Sequence, residues 1–312
     1  MSSIAIEDGL RVAVLLPCQN QAGTIGALIR GFAQELPAAR IYVFDNNSTD
    51  DTARVATREG AIVRRENRLG MNSVVRRMFA DVDADIYVLA EPAGGYDPAD
   101  GSSLVNALIT ERADMVVGIR RDKGSKDDDP LHQPAGDNAF RWLYHRLFGG
   151  GVSDIGSGFR AMSRRFVKSF PAISKGFDIE VELSMHASQL MVPVAEITLE
   201  DTPPVGAMAV APAGLARRLR AARAAARLLR DVRPFIFYSS LALIFWALGL
   251  MLLAPRILSG EGFSMSSALL GLVMLIAGFI SASCGLILDA LRRSRIEQKR
   301  ILFLTVPALG AP

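Results

Sequence analysis

The chain has 312 residues, half of them hydrophobic (50%), with a mean hydropathy of +0.25 and a formal net charge of +3. The apolar excess argues against a purely soluble protein, and the length admits one sizeable domain plus additions. Two cysteines, Cys18 in a loop and Cys284 in an apolar run, exclude a disulfide framework and fit a reducing compartment.

The chain opens "MSSIAIEDGLRV" and passes straight into a strand pattern, so no cleavable signal is expected. Short apolar runs at Val12–Leu16, Ile41–Phe44, Ala61–Val63, Ile86–Ala90 and Met115–Ile119 read as buried strands. Helical patterns lie between them, at Thr24–Leu36, Asp51–Glu59, Asn72–Asp81 and Gly101–Thr110. Ser48, Thr49 and Asp50 are expected to cap the second helix, and Asp97-Pro98 to begin the fourth. The alternation predicts an α/β fold, a mostly parallel sheet with helices on both faces. Sheets of this kind bind ligands at the carboxyl ends of their strands. Those ends carry "LLPCQNQAGTIG", "VFDNNSTDDT" and "LAEPAGGYDP". Asp45 stands where an acid accepts hydrogen bonds from a base or ribose, although "DNNSTD" also reads as a turn with a helix cap. Glu180 and Glu182 begin a further helix, where acids favour the dipole whatever their function. His132, His145 and His186 have no metal-ligand spacing.

The apolar excess sits in the C-terminal third. Phe235–Ala254 and Met265–Leu288 are uncharged runs long enough to cross a bilayer; a pair of buried core helices is the alternative. Seven arginines between Arg217 and Arg233 precede the first run, and Arg292, Arg293, Arg295, Lys299 and Arg300 follow the second. The loop between them holds only Arg256 and Glu261. The positive-inside rule then places the large domain and both termini in the cytoplasm, at the inner membrane, with the runs forming a hairpin. The basic flanks point to anionic lipid, not nucleic acid. Leu215–Arg230, with Leu215, Leu219, Ala222, Ala226 and Leu229 at helical spacing, is expected to lie on the cytoplasmic leaflet. The expected organisation is a domain over 1–205, a basic juxtamembrane segment over 206–233, a hairpin over 234–290 and a basic tail over 291–312.

Six motifs in order, "LPCQN", "DNNSTD", "RLGMNSVVRRMF", "YVLAEPAGGYDP", "DIGSGFRAMSRRF" and "KGFDIEVEL", resemble family-two glycosyltransferases over about residues 11–200. The resemblance is to the dolichol- or polyprenyl-phosphate sugar transferase type. It implies a GT-A fold that binds a nucleotide-sugar donor beside a polyprenyl-phosphate acceptor, with Pro17, Asn20, Asp45, Asn47 and Asp50 toward the nucleotide. On the same resemblance, Glu91 would hold any Mg or Mn ion, and Asp154 with Arg160 would face the acceptor. It also admits a homo-oligomer or a partner glycosyltransferase. The departures fall on charged groups. Gln21 stands where the family usually has glutamate, and Leu69-Gly70-Met71-Asn72 where it has Gln-Gly-Lys-Gly. Ala93 and Gly94 occupy the later acidic positions of an Asp-x-Asp motif that begins at Glu91.

In the implied reaction an acceptor phosphate oxygen attacks the anomeric carbon with inversion. A phosphate with a second pKa near ~6 is already largely a dianion at neutral pH, so the nucleophile needs little help. Charge on the departing diphosphate is the harder problem, usually met by preorganised positive charge or a metal ion. Arg120 and Arg121 are candidate diphosphate contacts, in a run that Asp127, Asp128 and Asp129 counter. Two readings stay open: a working transferase, and a catalytically silent relative that binds nucleotide, lipid phosphate or a partner enzyme.

Overall fold

The structure, a computed structural model, describes residues 9–120, 157–171, 179–199, 226, 229–230, 232–259 and 265–309. Seven strands form one sheet: β1 (Val12–Cys18), β2 (Arg40–Asp45), β3 (Ile62–Arg65), β4 (Ile86–Ala90), β5 (Met115–Arg120), β6 (Phe159–Ser163) and β7 (Val194–Leu199). Their order is β3-β2-β1-β4-β6-β5-β7, parallel except for β6, which runs antiparallel to both β4 and β5. The five strands expected from apolar runs are present. The last two carry weaker signals, since β6 has a buried arginine as its second residue and β7 carries the exposed residues Glu196 and Thr198.

Period-two alternation along β1 divides the core. Val12, Val14, Leu16 and Cys18 enter one cluster, and Ala13 and Leu15 the other. The first is covered by α1 (Ile25–Glu35), α2 (Thr52–Arg58) and α4 (Pro98–Thr110), through Ile29, Phe32, Ala56, Leu104 and Leu108. The second is covered by α3 (Met71–Asp81), α5 (Arg164–Ser169) and α6 (Ile179–Leu190), through Val75, Met78, Phe166 and Leu183. Asp97 caps α4 as expected, accepting from the Ala99 N–H at 3.0 Å with Pro98 in the first turn. The capping expected at α2 is narrower: only Asp50 reaches a helix amide, that of Thr52, while Ser48 and Thr49 turn to Asn20.

Two long helices complete the described chain, α7 (Pro234–Ser259) and α8 (Met265–Thr305). The chain divides into two compact units, and α8 belongs to the second as far as Glu297. Within that unit α7 and α8 pair in opposite directions. Ser281 Oγ donates to the Tyr238 carbonyl, Trp246 Nε1 to the Leu275 carbonyl, and Gly249 approaches Gly271. A Cβ on Gly278 would lie 2.3 Å from the Trp246 indole, so that position has room only for glycine. Only 11% and 22% of the two most apolar windows are buried. Both helices are long and apolar enough to cross a membrane.

The stretch expected as a basic tail is different in kind. It is helical to Thr305, and from Gln298 it belongs to the α/β unit. Lys299 and Arg300 bond Gln189, and Phe303 lies under the Arg165 guanidinium, 4.6 Å from carbon to ring centre. Arg165 in turn forms a two-bond pair with buried Asp114. Next to this contact His186 is 1% exposed, its Nε2 3.0 Å from Ser169 Oγ and its ring edge-on to Phe166 and Phe170. Burial, with Lys299 adding to it, lowers its pKa to about 3.

In the unfolded chain His186 takes up a proton near pH ~6.5, and in the folded chain it does not. Its contribution is therefore complete above that pH and is lost progressively as pH falls toward 3, by at most about 1.4 kcal/mol per pH unit. Thermal unfolding of the full chain between pH 7 and pH 5 is expected to show this loss, and His186→Phe to flatten it. Parallel profiles for the two chains would assign the acid sensitivity elsewhere.

Candidate active site

Chain order runs outward from β1 in one direction to β3, then returns to β4 on the other side of β1. That reversal opens a crevice beyond the carboxyl ends of β1 and β4, where open α/β sheets bind ligands. A cleft of about 260 Å³ lies there. Its lining comes from the β1 end (Pro17, Cys18, Gln19, Gln21), from Asn46, from the start of α3 (Gly70, Met71, Val74) and from the β4 end (Glu91, Pro92).

Asn46 is the joint of this region. Its Nδ2 donates to the Glu66 and Arg68 carbonyls at 2.9 and 2.8 Å, and its Oδ1 accepts from the Gly70 N–H at 3.0 Å. One side chain, 5% exposed, thus ties the turn before α3 to the end of β2. Gly70 itself has a φ of 110°, a conformation that L side chains rarely adopt.

Of the residues expected to bind nucleotide, only Pro17 lines the cleft; the others stitch neighbouring loops together. Asn20 accepts from the Thr49 N–H at 2.8 Å, and its own N–H donates to Ser48 Oγ. Asp50 accepts from the amides of Ala22 and Thr52 and from the Thr52 hydroxyl, which holds its carboxyl below the usual range. Asn47, at a φ of 59°, donates to the Asn67 carbonyl. Asp45 is 3% exposed, accepts from the Ser48 N–H at 3.2 Å, and has Arg65 Nε 3.8 Å away. Cys18 faces the cleft as a buried thiol whose pKa burial raises, with Asp45 and Asp50 adding to the effect. It is therefore a neutral group and no nucleophile. Gln19, Asn46 and Met71, which no motif marks as ligand contacts in the sequence, also line the cleft and carry no charge.

Glu91 meets the fifth motif because β6 runs antiparallel to β4. The register Ala90↔Phe159 brings Gly158 beside Glu91, so that a Cβ on Gly158 would lie 3.4 Å from Glu91 Oε2. Tyr96 completes the contact. Its hydroxyl accepts from the Gly158 N–H at 3.0 Å, and its ring packs on Phe159 at 4.8 Å between centres. The same ring covers Gly94, where a Cβ would fall 2.1 Å from Tyr96 Cε2. Position 94 therefore has no room for a carboxylate while Tyr96 stays in place. Glu91 is the one acid in the cleft lining, and among the described residues no three His, Cys, Asp or Glu side chains gather to hold a metal ion. Among the described residues, Glu91 would give a divalent ion this one carboxylate, and the ion's other ligands would come from a bound diphosphate.

Arg160, expected to face the acceptor, lies in the interior of the fold. It is 0% exposed; its Nε donates to the Ser157 carbonyl at 2.8 Å and its Nη1 to Ser184 Oγ at 2.9 Å. Arg120 closes β5, while Asp154 and Arg121 lie outside the described residues, as does nearly all of the expected leaflet helix.

Comparison with known proteins fits this geometry. The family profile of Glycosyl transferase family 2 matches residues 13–170. Protein RfbJ of Shigella flexneri is 46% identical over 116 residues, 37% of this chain and 90% of that protein. The low-salt glycan biosynthesis hexosyltransferase Agl6 of Haloferax volcanii is 29% identical over 183 residues, which cover 56% of this chain and 44% of Agl6. Among solved structures, glucosyl-3-phosphoglycerate synthase of Mycobacterium tuberculosis superposes with a TM-score of 0.54 at 24% identity, over 72% of this chain and 81% of that one. The likeness shows the GT-A type of fold. That synthase has also been crystallised with Mn2+, uridine diphosphate and glucosyl-3-phosphoglycerate.

Two outcomes are expected from the packing around Glu91. Gly94→Ala lowers stability by about 1–3 kcal/mol through overpacking against Tyr96, and adds little further loss in a Tyr96→Ala chain; chemical denaturation of the four chains measures both. Mn2+ titrated into nucleotide-free protein and followed by electron paramagnetic resonance shows no saturable site tighter than about millimolar.

Proposed function

The chain belongs to Glycosyl transferase family 2, and from that premise we propose that it transfers a hexosyl unit from a nucleotide-sugar donor to a polyprenyl phosphate. One observation carries the reading: a cleft at the sheet's reversal point belongs to the same chain as two long apolar helices. The hairpin anchors the chain in the inner membrane, with the basic flanks, the α/β unit and both termini on the cytoplasmic side. A lipid acceptor is then presented at the surface where the chain is held.

The step is a single displacement. An oxygen of the acceptor phosphate forms a bond to the anomeric carbon as the bond from that carbon to the donor diphosphate breaks. The bonding pair leaves with the nucleoside diphosphate, and the configuration inverts. No proton has to be removed, since the phosphate is largely a dianion at neutral pH. The cleft has no need of a strong base, in keeping with its neutral lining of Gln19, Gln21 and Asn46. Departure of the diphosphate is favoured by the first turn of α3, whose positive dipole end opens at Gly70 and Met71. Arg120, the last residue of β5, and Arg121, the next in sequence, remain proposed as cationic contacts, and Asp154 as a group that orients the acceptor.

A second reading rests on the covering of Gly94 by Tyr96, which closes the place of another carboxylate. In this reading the chain binds a nucleotide or lipid phosphate, or a partner glycosyltransferase, without turning over. Membranes containing the full chain, a panel of radiolabelled nucleotide sugars and undecaprenyl phosphate separate the two. Label is expected in the lipid fraction for at least one donor, and folded protein that labels no lipid with any donor establishes the silent reading. The chain is also expected to stay with membranes through alkaline carbonate, and its release there would remove the anchor from the proposal.

A further inference from the structure

Two polar side chains leave α6 in different directions. Glu182 and Ser184 are two positions apart, which on a helix points them to different sides, and they are 7% and 1% exposed. Glu182 Oε1 accepts from Asn72 Nδ2 at 3.1 Å. Asn72 is the second residue of α3, whose first turn forms one wall of the cleft with Gly70, Met71 and Val74. Ser184 Oγ accepts from Arg160 Nη1, and Arg160 Nε donates to the Ser157 carbonyl. Ser157 also donates its hydroxyl to the Gly118 carbonyl at 2.6 Å. The following residue, Gly158, rests on Glu91 and donates to Tyr96, so this chain of bonds ends at the opposite wall. α6 contributes no residue to the cleft lining, and its apolar side, Ile179, Leu183 and Ala187, is fixed in the core.

We propose that α6 is a brace that sets the spacing of the two cleft walls, with Asn72 and Glu182 at one end and Arg160 and Ser184 at the other as positioning residues for the donor. The inference rests on the donor-binding reading above. A buried guanidinium fits this role because it can donate to Ser157 and Ser184 at once from a rigid plane, and a point-charge ammonium cannot. The Asn72 bond reaches from one helix to another and fixes where the first turn of α3 stands relative to α6. A ligand that spans both walls is held only when the walls are correctly spaced, so losing either end loosens the same object.

The test is calorimetric titration of UDP and GDP into the full chain in detergent, for the wild type, Asn72→Ala, Ser184→Ala and the double variant, with thermal unfolding of each without nucleotide. Each single change is expected to weaken the nucleotide that binds by about tenfold. The thermal midpoint should shift by only about a few degrees. The double change is expected to weaken binding by clearly less than the product of the two, because both ends act through one helix. Wild-type protein that binds neither nucleotide overturns the donor reading and the brace together. Binding by the wild type with unchanged affinity in the single variants, or with multiplicative losses in the double, overturns the brace and leaves the donor reading standing. Should Ser184→Ala fail to fold, Asn72→Ala decides alone, and unchanged affinity there ends the proposal.

Discussion

The arrangement depends on a buried amide. Asn46 uses both donors and its acceptor within the fold, on Glu66, Arg68 and Gly70, and so fixes where α3 begins. A carboxylate at this place would present two acceptors to two carbonyls, and a hydrophobic residue would leave three backbone groups without their partner. Asparagine satisfies all three at once. Everything on the far side of the cleft, from the Gly70 turn to the Asn72 bond with Glu182, inherits its position from that contact.

The opposite wall is set by strand direction, not by a single side chain. Inserting an antiparallel β6 between parallel neighbours turns the Ser157–Gly158 backbone toward the end of β4. Tyr96 then fills the gap with a ring and a hydroxyl, where a carboxylate would need compensating charge. The two walls differ in kind, one fixed by a buried amide and the other by topology and an aromatic packing contact. The side chains they show the cleft are mostly neutral.

How much of this could be read from the sequence follows from the kind of signal each feature leaves. The first five strands are apolar runs between turn residues, and they appear within one or two residues of their expected limits. β6 was hidden because Arg160 interrupts its apolar pattern; an arginine reads as surface until the partners Ser157 and Ser184, far apart in sequence, are seen around it. The motif "DNNSTD" stands at the carboxyl end of β2, where Asn46 joins the cleft lining. Asn20, Asn47 and Asp50 serve loop-to-loop hydrogen bonds, and the turn-and-cap alternative describes Asp50 well. The basic residues after Leu288 read as a basic tail, since charge density is visible in sequence and the contacts with Gln189 and Arg165 are not. The neutral cleft residues left no compositional trace at all.

The loss of acids and the survival of the scaffold are compatible because the two halves of the displacement make unequal demands. The entering phosphate brings its own charge, so a base near it adds little, and the substitution of Gln21 for an acid costs the proposed reaction little on that side. The departing diphosphate demands fixed positive potential, and one carboxylate by itself holds an ion only weakly. What the described residues offer instead is the end of α3, held in place from beneath by Asn46 and from the side by Glu182. Fixed dipoles stabilise developing charge only insofar as they do not reorient when it appears. A cleft with few charges must therefore be a stiff one, and the density of buried hydrogen bonds around this cleft is the form that stiffness takes.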